Sequence, residues 1–184
     1  TDYKQNKLVF EKGVDLYYGK TNFHNRVKLN FDDRTGFDKA KLAAENSDIV
    51  IMVLGEEGNQ SGEGRSRTNI GLPGLQLELL KEIYKINQNI VLVVMSGRPL
   101  DLTWADKNIP AIIQAWHLGS KSGDAIAEVL YGDYNPSGKL TMSFPRNIGQ
   151  VPIYYNFKNT GRPSTSIEQV TNSGYADVVN SPLY

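Results

Sequence analysis

Ile90-Val-Leu-Val-Val-Met95 is six apolar residues in a row, with no polar position to mark a wet face. A strand with one solvated face alternates; an unbroken run suits a strand covered on both faces, as in a parallel sheet flanked by helices. Two further runs, Ile49-Val-Ile-Met-Val-Leu54 and Ala111-Ile-Ile-Gln-Ala115, have the same character on either side of it. Helical spacing fills the intervals. Residues 74–87 place Leu75, Leu79, Leu80, Ile83 and Ile86 on one stripe, with Pro73 near the helix start. Residues 37–46 carry Phe37, Ala40, Ala43 and Ala44. Residues 122–131 carry Ala125, Ile126, Val129 and Leu130 behind a polar start at Ser122 and Asp124. Strand and helix in alternation predict an α/β domain: a three-layer sandwich with a mostly parallel central sheet flanked by helices.

Working outward, Gly138-Lys-Leu-Thr-Met-Ser-Phe144 is expected to add a last strand, fed by the turn Asn135-Pro-Ser-Gly138. A further strand is expected within Leu8–Tyr17. Beyond Pro145 the periodicity fades, and residues 156–184 are rich in Asn, Ser, Thr, Gly and Pro. The expected organisation is a domain over 1–156 and an irregular extension over 157–184, which wraps a neighbour or links to another module. The start, Thr1-Asp2-Tyr3-Lys4, has no initiator Met or signal peptide and reads as an internal one.

Composition narrows the function. Twenty basic residues balance twenty acidic ones among 184, so no net field favours nucleic acid or an anionic membrane. No apolar run approaches the ~20 residues that span a bilayer. Cysteine is absent, which removes disulfides, thiol nucleophiles and thiolate metal sites. The two histidines, His24 and His117, lie far apart in sequence and make no metal motif; no metal or other cofactor is expected.

In open α/β sheets, ligands bind outside the carboxyl ends of the strands. The loops leaving the three runs are Gly55–Leu72, Ser96-Gly-Arg-Pro99 and Trp116-His-Leu-Gly-Ser120. The first is the longest and most charged, and a long polar loop in a compact domain is more often functional than incidental. It offers Glu56, Glu57 and Glu63 with Arg65 and Arg67. Glu63 stands between Gly62 and Gly64, which let the backbone bring a side chain close to a ligand. A carboxyl held near apolar walls serves as a general acid; the plainer reading is a set of solvated surface charges. Trp116 reads either as a sugar-stacking ring or as a core residue. His117 reads either as a substrate contact or as a capping side chain; Arg98 and Trp104 read as a loop residue and a packing residue. Asn59-Gln60-Ser61 fits the glycosylation triplet, which is common by chance. A dinucleotide fingerprint fails, because Gly62-Glu-Gly64-Arg-Ser-Arg67 lacks the third glycine. No phosphate loop or Gly-x-Ser-x-Gly elbow occurs.

A set of fragments carries a resemblance. Asp48-Ile-Val-Ile-Met-Val-Leu-Gly-Glu56 is followed by Ser61-Gly-Glu-Gly-Arg-Ser-Arg67 and Ile70-Gly-Leu-Pro-Gly-Leu-Gln76. Ser96-Gly-Arg-Pro99, Ala115-Trp-His-Leu-Gly119 and Gly132-Asp-Tyr-Asn-Pro-Ser-Gly-Lys-Leu140 come next, then Phe144-Pro145 and Pro152-Ile-Tyr-Tyr-Asn156. Each is weak alone. In this order over residues 48–156 they resemble the C-terminal α/β sandwich domain of glycoside hydrolase family 3, the β-glucosidase-like enzymes. The resemblance implies a retaining glycosidase acting on β-linked sugars. Its Asp nucleophile lies on an N-terminal β/α barrel absent from this chain, and a Glu from the second domain protonates the leaving oxygen. Retention needs the two carboxyls roughly 5–5.5 Å apart, so the Glu loop must reach across the domain interface. By position in the motif the acid/base is Glu63. Ser61, Arg67 and Trp116 are implied substrate contacts, although Ser66 stands where many members carry Asp, which leaves the role of Arg67 open. Glu56, at the strand end, is expected to anchor the loop, and the loop itself is expected to be mobile without its barrel. The implied setting is periplasmic or secreted, with a possible fibronectin-like domain after the extension. The competing reading is a non-catalytic carbohydrate-binding or structural partner of the barrel.

Overall fold

A computed structural model describes residues 7–158, 161–163, 166–168, 171 and 173–184. The N-terminal Thr1–Lys4 lies outside them, as do parts of the extension.

Three parallel strands form the sheet, in the order β1 (Val50–Gly55), β2 (Ile90–Met95), β3 (Ala111–Gln114). Val50 lies opposite Ile90 and Gly55 opposite Met95; Val91 lies opposite Ala111 and Val94 opposite Gln114. Helix α1 (Phe37–Glu45) precedes the sheet. α2 (Gln76–Ile86) and α3 (Thr103–Asn108) make the two crossovers, and α4 (Ser122–Leu130) follows β3. Short 3₁₀ turns occupy Gly58–Gln60 and Ile148–Gln150. This is the α/β architecture that the apolar runs predict. No described helix is long and apolar enough to cross a membrane.

The core lies on one face of the sheet. Met52 and Leu54 of β1 and Ile90, Leu92 and Val94 of β2 meet Phe37 and Ala44 of α1, Leu79, Leu80 and Ile83 of α2, and Leu102 and Ala105 around α3. Four of the five stripe residues read for α2, Leu75, Leu79, Leu80 and Ile83, lie in this core, since positions three and four apart share a helix face, whereas Ile86 in the last turn stays 41% exposed. Trp104 packs against this cluster edge-on to Tyr84, with centroids 5.5 Å apart. Ile126, Val129 and Leu130 of α4 are half-buried and stand outside the cluster.

The runs differ in a way their composition concealed. β2 is buried on both faces: Leu92, Val93 and Val94 are all fully enclosed. β1 is an edge strand and alternates, with Met52 and Leu54 buried but Ile51 and Val53 exposed at 43% and 54%. Two expected strands do not form. Residues 138–143 are irregular, and Phe144 instead exchanges hydrogen bonds with the chain end: its N–H donates to the Tyr184 carbonyl (2.9 Å), and its carbonyl accepts from Leu183 N–H (2.7 Å). Residues 8–16 are irregular as well, with an isolated bridge between Tyr17 and Leu29. Leu8, Val9 and Phe10 stay exposed, and among the described residues no strand pairs with them to realise their β propensity.

The stretch before α1 is organised by Asn30, whose side chain is fully buried. Its amide donates to the carbonyls of Asp15 and Asp33, both at 2.9 Å. Its oxygen accepts from the backbone of Asp32 and Asp33 and from the Tyr18 hydroxyl. A buried amide needs all its partners, and this one binds five groups across some twenty residues. The result is a folded arm rather than a loose tail, and it lies beside the long loop described next.

Candidate active site

The loops that leave β1, β2 and β3 open on one edge of the sheet. They converge on Gly97. A Cβ there would overlap the Ser61 side chain of the first loop and lie 3.2 Å from the His117 ring of the third. The absence of a side chain lets the three loops close together. Trp116 has a left-handed backbone (φ 55°), rare for a bulky residue, and its half-buried ring lies 6.0 Å from Phe144.

The first loop holds three carboxylates in three different states. Glu56 has a side chain with no exposed surface. Its Oε1 lies 2.6 Å from Arg67 Nη1; Arg98 Nε sits 3.1 Å from Oε1 and 3.2 Å from Oε2, and Gly97 N–H donates to Oε2 at 3.3 Å. A buried charge needs such pairing to be tolerated. Arg67 also donates to the Gly71 carbonyl (3.4 Å). Arg98 Nη2 donates to the carbonyls of Gln60 (2.6 Å) and Arg65 (2.9 Å). Glu56 is thus the anchor that its place at the strand end suggested, with two arginines radiating from it into the loop.

Glu57 is occupied differently. It caps the Gly58–Gln60 turn, accepting from Asn59 N–H (2.7 Å) and Asn59 Nδ2 (2.8 Å), while its own N–H donates to Gln60 Oε1 (2.9 Å). It also accepts from Thr21 Oγ1 of the N-terminal arm (2.9 Å). The same bonds engage the amide of Asn59, the residue at the head of the glycosylation triplet.

Glu63 stands at the exposed tip between Gly62 (φ 105°) and Gly64 (φ 68°). Both backbones lie where only glycine rests without strain. Among the described residues none bonds the Glu63 carboxylate. The feet of this tip are fixed: Gln60 is buried, and Arg65 N–H donates to the Gly62 carbonyl (3.2 Å). Arg65 also donates from Nη2 to the Phe23 carbonyl, and its guanidinium lies 5.9 Å from the Phe23 ring centroid. The loop is therefore pinned at its base, while the Glu63 side chain at its tip bonds none of the described residues.

Ser61, Glu63 and Arg67 come from one loop, but Arg67 turns inward to Glu56 while Glu63 turns outward. Trp116 and His117 sit on the neighbouring loop, His117 exposed and Trp116 partly covered. Three contributors carry no functional motif in the sequence: Arg98, which reads only as a loop residue, and Thr21 and Phe23 of the N-terminal arm.

Comparison with known proteins places the domain in a family. The model of the glycosyl hydrolase family 3 C-terminal domain matches residues 6–179. The periplasmic β-glucosidase of Salmonella typhimurium is 41% identical over 97% of this chain and 24% of its own length. A β-xylosidase of Formosa agariphila is 43% identical over 74% of this chain and 19% of its own. Among solved structures, the β-glucosidase of Listeria innocua in complex with gluconolactone superposes with a TM-score of 0.79 at 35% identity, over 86% of this chain and 22% of that one. The chain thus spans about a quarter or less of the relatives it matches. With the match covering nearly all of its length, the chain belongs to the C-terminal domain family of glycosyl hydrolase family 3.

Proposed function

We propose that this domain works within a retaining β-glycosidase that hydrolyses terminal β-linked sugars, and that Glu63 is its general acid/base. The observation that carries this reading is the division of labour in the loop. Glu56 and Glu57 are fully engaged in holding it together, and Glu63 alone of the three projects unpaired from a braced tip. Its partner is a β/α barrel of the same polypeptide bearing an Asp nucleophile. In the first step that carboxylate attacks the anomeric carbon, the glycosidic C–O bond breaks, and Glu63 gives its proton to the departing oxygen. In the second, Glu63 as carboxylate takes a proton from the water that displaces the Asp and restores the free sugar. The barrel supplies the covering walls that the exposed Glu63 lacks here. Arg67, bound to Glu56, serves as a brace in this scheme. Ser61 and Trp116 line the approach to the sugar. The periplasmic name of the Salmonella relative supports an exported enzyme.

The test is an aryl β-glycoside series on the polypeptide that joins this domain to its barrel. Glu63→Gln is expected to slow poor leaving groups most, by ~10²–10⁴-fold, and activated ones little. Azide is expected to restore part of the turnover of Glu63→Ala on activated substrates. Equal rates for wild type and Glu63→Gln on poor leaving groups would make the domain a binding or structural partner instead.

A further inference from the structure

We infer that Arg98, from the loop after β2, is the positioning residue for Glu63. This rests on the acid/base reading of Glu63 above. One guanidinium nitrogen, Nη2, grips the carbonyls of Gln60 and Arg65, the residues that flank the Ser61–Gly64 tip on either side. The tip contains two glycines in left-handed conformations, so its own backbone supplies little stiffness. Holding both feet from one atom fixes the span of the tip and so limits the directions in which Glu63 projects.

Arg98 is in turn held from behind. Its Nε lies against both oxygens of Glu56, a carboxylate without exposed surface at the end of β1, and the adjacent Gly97 N–H bonds the same carboxylate. Glu56 thus receives Arg98 on one side and Arg67 on the other. The chain of contacts runs from the rigid sheet through Glu56 and Arg98 to the two feet of the tip. Lysine cannot reproduce it, because a guanidinium presents a planar fork that binds a carboxylate with one edge and carbonyls with another, whereas an ammonium is a point donor on a flexible stem.

The experiment uses the polypeptide with its barrel and compares wild type, Arg98→Lys, Arg98→Ala and Glu63→Gln over leaving groups of graded acidity. For Arg98→Lys, kcat on poor leaving groups is expected to fall about 100-fold, the scale of an ångström-sized misplacement, with KM little changed and activated substrates much less affected. Guanidinium at a non-denaturing concentration is expected to restore part of the activity of Arg98→Ala. If the alanine variant does not fold, the lysine variant carries the test by itself. An Arg98→Lys enzyme that matches wild type, or loses the same factor on every leaving group, overturns the positioning role while Glu63→Gln retains its proton-donor signature. If Glu63→Gln itself lacks that signature, the acid/base reading fails and the positioning role falls with it.

Discussion

Replacing Gln76 with leucine is expected to destabilise the domain far more than its place at a helix start suggests. Gln76 is buried at the first position of α2. Its Oε1 accepts from Gly55 N–H (2.7 Å), and its Nε2 donates to the Gly55 carbonyl (2.7 Å) and the Pro73 carbonyl (2.9 Å). One side chain therefore completes the last residue of β1 and the turn entering α2. Leucine leaves three backbone groups without that partner. At about 1–3 kcal/mol for each unsatisfied buried group, the loss is at least about 3 kcal/mol. The added apolar burial offsets on the order of 1 kcal/mol, leaving a net cost of about 2–8 kcal/mol. For a domain of this size each kcal/mol moves Tm by roughly 2–4 °C, so a fall on the order of 10 °C is expected. Equilibrium denaturation in urea, with an unchanged m value, measures the cost directly. A loss below about 0.5 kcal/mol, the range of an ordinary surface substitution, would refute the reasoning and leave Gln76 as a bystander.

Gly97→Ala is expected to displace the first loop, because the new methyl group overlaps Ser61. Hydrolysis by the joined polypeptide should fall sharply while the unfolding midpoint of the domain moves little; a normal rate would count against convergence of the three loops. Tyr184 gives a pH prediction. Burial and the hydrogen bond to Asp106 push its pKa from 10.0 up to about 12. Between those values the folded chain keeps a proton that the unfolded chain has lost, so this contribution is complete below about pH 10 and declines towards about 12. Unfolding midpoints followed across that window should drop more steeply in wild type than in Tyr184→Phe, and parallel curves would contradict the bond.

The fold was legible where burial on both faces removes ambiguity. Ile90–Met95 suits a strand covered on both faces and is one, and of the stripe Leu75, Leu79, Leu80, Ile83 and Ile86 all but the last join the core it packs against. Ile49–Leu54 has nearly the same composition, yet every second residue is exposed, because composition records what a strand can bury and not which neighbours are present. Gly138–Phe144 failed for a related reason: Phe144 finds its backbone partners in Leu183 and Tyr184, forty residues on, a pairing that no local pattern encodes. Six-residue α3 lacks the length for a periodic signal. In the candidate site, the glycines beside Glu63 were visible as a motif. The bonds of Glu57 were not, since a capping box at a three-residue turn resembles any acidic loop. Arg98 was invisible because its contacts join loops separated by more than thirty residues.

The arm before α1 bears on how this domain can be moved between proteins. Its Thr21 holds Glu57, its Phe23 holds Arg65, and Asn30 keeps the whole arm in shape. A transplant trimmed to begin at α1 would carry every described strand and helix and would pass as intact by circular dichroism. It would arrive with the outer flank of the Glu63 loop unsupported. Chimeras that exchange this domain among barrels should therefore place their junction ahead of Gly13, so that the arm travels with the loop it supports.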